Sequence, residues 1–155
     1  QTCALPIYFS EMMYRNVVYK EYVDYSINQL DECVIDFYNL INAFDLEKIG
    51  PLIMVYTQVM KGNRVNVKLM TPVDKSFVPN KHLNFMTYLY IDQMLHGRLV
   101  SDDYSNEEPK LLYEIEEFAR NNNMRRISPY YHIINEIDEM TWVDVKVKVL
   151  EVSNT

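Results

Sequence analysis

Residues 50–70 read GPLIMVYTQVMKGNRVNVKLM, and residues 128–148 read SPYYHIINEIDEMTWVDVKVK. Each is a pair of strands around a tight turn. At a constant offset of 78 positions, Pro51 falls on Pro129, Val55 on Ile133, Val59 on Ile137, Val65 on Val143, Val67 on Val145 and Lys68 on Lys146, with no gap. The match implies a duplicated module. In the first copy Lys61-Gly62-Asn63 is the hairpin loop, because Gly and Asn tolerate the positive φ such loops demand. Beyond it Val65, Val67 and Leu69 alternate with Asn66 and Lys68, the period-two pattern of a strand with one buried face.

Working outward, each hairpin is preceded by a strand and a helix. Residues 14–22, YRNVVYKEY, read as a strand rich in Val and Tyr. Ser26 followed by Gln29 forms a capping box, and the helix behind it places Ile27, Leu30, Val34, Phe37, Tyr38, Ile41 and Phe44 on one apolar face. In the second copy residues 83–91 and 94–100 read as two strands. Asp103-Tyr104-Ser105 repeats Asp24-Tyr25-Ser26, and Ser105 with Glu108 makes a second capping box. Pro109 fits a first helical turn, and Leu111, Leu112, Ile115, Phe118 and Ala119 form the apolar stripe before Asn121 to Asn123 end the helix. The expected fold class is therefore α+β: two β-α-β-β repeats forming one antiparallel sheet with both helices on one face.

The domain organisation follows. Residues 1–7 read as a translated sequencing adapter, an assembly scar set aside from fold reasoning. Residues 8–151 are expected to form a single domain of two repeats, 14–72 and 83–151, joined by a linker at 73–82, with a frayed tail at 152–155. The net charge of −7 argues against non-specific binding to nucleic acid or to an anionic membrane, which needs a basic footprint. With Cys3 in the scar, Cys33 stands alone among apolar helix positions and reads as a small core residue. No secretory signal or uncharged run of membrane-spanning length is present, so a cytoplasmic location and no membrane insertion are expected.

On the sheet, Val65, Val67, Leu69, Val143, Val145 and Val147 are expected under the helices. The β-branched sets Ile53, Val55, Thr57, Val59 and Tyr131, Ile133, Asn135, Ile137 are assigned to the same side. The alternate sets then face away: Leu52, Met54, Tyr56, Gln58 and Tyr130, His132, Ile134, Glu136. From these, with Tyr88 and Tyr90, we take Met54, Tyr56, Tyr88, Tyr90, Tyr130, His132 and Glu136 as a ligand- or partner-binding groove, apolar with convergent polar atoms. Tyrosine also has high strand propensity, so an ordinary half-exposed sheet face reads the same way. Glu136, set among aromatic groups, would meet a cationic ligand or a basic side chain.

Catalytic signatures are absent. Gly50, Gly62 and Gly97 are the only glycines, and their spacing excludes a Walker loop and a dinucleotide fingerprint. No Gly lies two residues before a Ser, which excludes a nucleophile elbow. His82, His96 and His132 match no zinc spacing. His132 and Glu136 share a strand face but lie ~13 Å apart, too far to share one metal or proton. No catalytic residue, metal or cofactor is assigned.

Two strand–helix–strand–strand copies in about 150 residues resemble the GyrI-like and SOUL-type small-molecule-binding fold. That resemblance implies a ligand groove between the copies, on the sheet face away from the helices, often against a buried Glu, with Glu136 the nearest candidate. More narrowly, Asn84-Phe85-Met86-Thr87-Tyr88-Leu89-Tyr90-Ile91-Asp92-Gln93-Met94-Leu95, then Arg98-Leu99 and Asp102-Asp103, resembles a Firmicutes family of similar length encoded near type VII secretion genes. The first functional expectation is a non-enzymatic cytosolic accessory or chaperone that holds a secreted protein substrate. The alternative is a small-molecule sensor using the groove. A hydrolase using Glu136 and a tyrosine comes third.

Overall fold

The chain runs β1 (Tyr8–Ser26), a 3-10 turn (Ile27–Gln29), α1 (Leu30–Ala43), β2 (Leu52–Met60), β3 (Arg64–Pro72), β4 (Asn84–Leu99), α2 (Tyr104–Asn121), β5 (Met124–Arg126), β6 (Tyr131–Ile137) and β7 (Met140–Glu151). The structure, a computed structural model, describes residues 6–100 and 102–153. The fold is α+β, as expected, with a seven-stranded antiparallel sheet and two helices. The chain divides into two compact units. One is Met13–Leu89; the other takes the chain up to Met12 and from Tyr90 onward.

In the first unit β3 is central, with β1 antiparallel on one side and β2 on the other. Tyr22 stands opposite Val67 and Lys20 opposite Leu69. Both reach Asp36 on α1, Tyr22 donating from its hydroxyl at 2.6 Å and Lys20 from its ammonium at 3.1 Å. That places α1 over the face carrying Val65, Val67 and Leu69, all fully buried. The helix turns Cys33, Phe37 and Ile41 inward, at the four-residue spacing of one helical stripe. Its entry is the expected capping box: the Ser26 amide donates to Gln29 Oε1 at 3.0 Å, and the Asn28 amide donates to Ser26 Oγ at 3.3 Å.

In the second unit β7 is central, between β4 and β6, and β5 pairs with its far end from Met124↔Glu151 to Arg126↔Val149. Val143, Val145, Val147 and Val149 pack with Leu111, Ile115 and Ala119 of α2 and with Leu95 and Leu99 of β4. Gly97 lies within this layer because a Cβ there would come within 2.6 Å of Leu111 Cδ1; bare backbone lets the helix sit close. A second clasp joins α2 to its sheet. Tyr130 donates to Glu116 at 2.6 Å, and Arg126 both pairs with Glu116 at 3.0 Å and lies over the Tyr130 ring at 4.9 Å. Lys20 likewise lies 4.8 Å over the Tyr22 ring. The two clasps use positions unrelated by the offset of 78, so they are separate solutions to one docking problem.

Several expectations are corrected. The strands expected at 83–91 and 94–100 are one, β4, which passes through Gln93 at φ 53° without ending. The short strand β5 was not anticipated. The second capping box does not form: Ser105 lies inside α2, whose N-cap is Asp103, and Pro109 sits in the second turn rather than the first. Glu108, the other half of that box, is 3.5 Å from His132 Nε2 instead. Ser26→Ala is therefore expected to lower stability by about 1 kcal/mol, while Ser105→Ala stays near zero, measured by paired urea titrations. A comparable loss at both serines would restore the second box.

The gap-free register also fails. The first hairpin closes at Met60↔Arg64 around three residues and carries a bulge between Tyr56 and Gln58. The second closes at Ile137↔Met140 around Asp138 and Glu139 alone. Val67 consequently faces Tyr56, whereas Val145 faces His132, two residues earlier than the offset predicts. Of the adapter-like stretch, residues 1–5 lie outside the described residues, and Ile7 packs against the α2 core. At the other end the Val152 amide still donates to the Asn123 carbonyl at 2.7 Å; residues 154–155 lie outside the described residues.

Candidate functional site

Directly opposed residues of an antiparallel pair share a face. Met54 lies opposite Leu69 and Tyr56 opposite Val67, so both belong to the face that α1 covers. His132 lies opposite Val145 and Glu136 opposite Thr141, and Tyr130 packs in the α2 core. These three belong to the α2 side. The assignment of Met54, Tyr56, Tyr130, His132 and Glu136 to the helix-free face is thus reversed, and Tyr131, Ile133 and Asn135 take that place; beyond the bulge Gln58, opposite Asn66, keeps the expected face. Glu136 is exposed near the hairpin tip rather than enclosed by aromatic rings. Tyr88 and Tyr90 are both more than half exposed; Arg15 lies 5.6 Å over the Tyr88 ring, and Tyr90 donates to Glu11 at 3.1 Å. Within the second unit the structure gathers Tyr130 and His132 against the helix and leaves Glu136 and Tyr90 at the surface.

A different constellation occupies the face of the second unit that points away from α2. Its centre is Asp144 on β7, only 8% exposed. The strand reads Val143-Asp144-Val145-Lys146-Val147-Lys148, so valines go under the helix and the charged residues go to the other side. Register brings Arg98 of β4 and Ile133 of β6 beside Asp144. It brings His96 and Tyr131 beside Lys146, and Asn135 beside Trp142. The Asp144 carboxylate accepts from His96 Nε2 at 2.7 Å, Arg98 Nε at 2.7 Å, Asn135 Nδ2 at 3.0 Å and Trp142 Nε1 at 3.3 Å. Arg98 also lies 5.5 Å over the Trp142 ring, and the Tyr8 ring covers His96 at 4.5 Å.

Four donors on one buried carboxylate have a clear electrostatic result. Burial alone pushes the Asp144 carboxyl up. The hydrogen bonds from His96 and Arg98, with the guanidinium charge, outweigh it and hold the group well below the usual carboxylate range. Lys146 is half-buried, and its ammonium donates to the Glu11 carbonyl at 2.6 Å. Burial pulls its pKa down against the attraction of Asp144 and Glu11. Among the described residues no group of three His, Cys, Asp or Glu side chains is arranged to hold a metal, and no helix is long and apolar enough to cross a membrane.

The sequence held one signal for this cluster. An acid in the middle of a valine-rich strand, two residues after the chain's sole tryptophan, marks a polar face that is not simply solvated. Its partners lie up to 48 residues away on β4, which periodicity cannot reach.

The fold has solved relatives. The crystal structure of the EcmrR C-terminal domain superposes with a TM-score of 0.69 at 10% identity, covering 95% of this chain and 98% of that domain. The EcmrR–DNA complex in EcmrR-RPo, seen by cryo-electron microscopy, gives 0.66 at 9% identity; the chain spans 58% of that longer protein's length. A hydrolase from Listeria innocua gives 0.56 at 9% identity, with 91% and 90% covered. At such identities the likeness establishes the GyrI-like fold and nothing finer. No curated protein matches the chain in sequence. Residues 13–151 match the profile of a family described as a domain of unknown function, DUF5085. The chain, an α+β fold with one buried carboxylate drawing together three strands of its second unit, belongs to the DUF5085 family.

Proposed function

We propose that this protein is a small-molecule-binding domain whose ligand rests against the Asp144 cluster, and that it binds its ligand without transforming it. The observation carrying this reading is a nearly buried carboxylate held by four donors and bordered by half-buried Trp142, Tyr131 and Lys146. A satisfied polar network ringed by aromatic surface is the lining expected of a ligand site. In the GyrI-like family, which the sequence resembles, ligands lie on the helix-free sheet face, often against a buried Glu; here the buried carboxylate on that face of the second unit is Asp144, not Glu136. A non-catalytic role fits His96. Its Nε2 is committed to Asp144, and its Nδ1 is buried. The secretion-accessory reading draws no support from the fold or from the solved relatives.

The test is a thermal-shift screen of aromatic small molecules followed by calorimetry. A ligand present at a hundred times its Kd adds about 2.7 kcal/mol of stability. The same ligand is expected to lose its shift in Trp142→Ala and to keep it in Tyr113→Ala, an exposed position on α2. Equal shifts in both variants would place the ligand elsewhere and refute the reading.

A further inference from the structure

We infer that the Asp144 cluster selects an anionic aromatic ligand, a planar ring carrying an oxyanion, and that Lys146 is the group that receives the negative charge. This deepens the binding reading above and rests on it. The sign of the ligand charge is the opposite of what a groove built on Glu136 implies.

The argument starts from the carboxylate. Asp144 is spoken for: His96, Arg98, Asn135 and Trp142 all point donors at it. An arriving cation would have to share an acceptor whose lone pairs are already used, and would do so beside a guanidinium. The cationic side of the cluster is less well served. Lys148, two residues along the same strand face, is paired with Asp92 at 2.6 Å. Lys146 has no carboxylate within 4 Å among the described residues, and its ammonium donates to the neutral carbonyl of Glu11. Glu11 itself carries its carboxylate toward the Tyr90 hydroxyl. The burial that depresses Lys146 is not offset by Asp144 or Glu11, so the charged amine is left undercompensated. An oxyanion at Lys146 would supply what is missing. The residues around it fit the rest of such a ligand. Tyr131 and His96 flank Lys146 in register, and Trp142 lies next along β7 beyond Asp144 with Arg98 over its ring. A flat ring has aromatic surface to lie on within reach of the amine.

Three matched probes decide the matter: naphthoate, naphthylmethanol and naphthylmethylammonium. Their binding is followed by the fluorescence of Trp142, the chain's one tryptophan, and by calorimetry. Naphthoate is expected to bind about ten-fold or more tightly than the neutral and cationic probes. Lys146→Met should erase that preference, and Lys148→Met should leave it intact. Should Lys146→Met melt below the assay temperature, the ranking of the three probes on the unaltered protein decides alone. If the ammonium probe binds as tightly as naphthoate, or if Lys146→Met keeps the preference for the acid, the inference is overturned while the binding reading stands. If none of the probes changes Trp142 fluorescence or the melting temperature, both fail.

Discussion

Asp144→Ala is expected to lower the unfolding free energy by about 3 kcal/mol, the low end for breaking a buried ion pair, because the Arg98 side chain is 40% exposed and stays open to water. The substitution strips the acceptor from Arg98 and His96 at once, and from Asn135 and Trp142 as well. His96 is buried, so its Nε2 would be left without an acceptor. Asp144→Asn keeps the shape and one acceptor oxygen, so a smaller loss is expected. The pH dependence carries its own sign. A carboxyl whose folded pKa is depressed contributes stability that is fully present above its unfolded pKa, about 4. That contribution drains away as pH falls from there through the folded value. Urea titrations between neutral pH and pH ~2 should show the unaltered protein losing stability in this acid window, with a gentler slope in Asp144→Asn. Parallel slopes for the two proteins would mean that the carboxylate is not tuned as the hydrogen bonds indicate.

Phe37→Ala is expected to cost a similar amount, about 3–5 kcal/mol, by a different physical route. Phe37 is completely buried on the inner stripe of α1, between Cys33 and Ile41. Removing its ring forfeits both the transfer free energy of the side chain and the contacts lining the cavity left behind. Phe37→Leu, which fills most of that space, should cost well under half as much. Ile35→Ala, on the exposed side of the same helix, should stay near the ~0.5 kcal/mol seen at surface sites. A flat response across the three would mean that α1 is not held by this face.

What the sequence disclosed and what it withheld divide along one physical line. Local signals were legible. The Ser26 capping box forms as expected, Gly62 and Asn63 take the positive φ of the loop, and Cys33, Phe37 and Ile41 turn inward together. Alternation also told which residues of β7 share a side. It could not tell which side faces which on the neighbouring strand, because that depends on register. Register in turn was set by loop lengths and by one bulge near Thr57, where a single extra residue changes the pairing. Hence Met54, Tyr56, His132 and Glu136 were placed on the wrong face although their strands were found. Gln93 misled for a related reason. A polar residue at φ 53° reads as a break, yet the strand continues through it. The Asp144 cluster was invisible because its members come from β4, β6 and β7 and meet only when the pairing is known.

The register difference between the two hairpins reaches further than face assignment. At the place on β3 that matches Asp144 on β7, the first copy has Asn66, whose side chain accepts from the Asp24 amide at 2.8 Å and donates to Gln58 at 3.1 Å. Across from Lys68, where the second copy offers His96 to Lys146, the first offers Glu21. The two stretches that match at an offset of 78 therefore carry different chemistry at these positions. On the binding reading proposed above, saturation at one ligand per chain is the expected result.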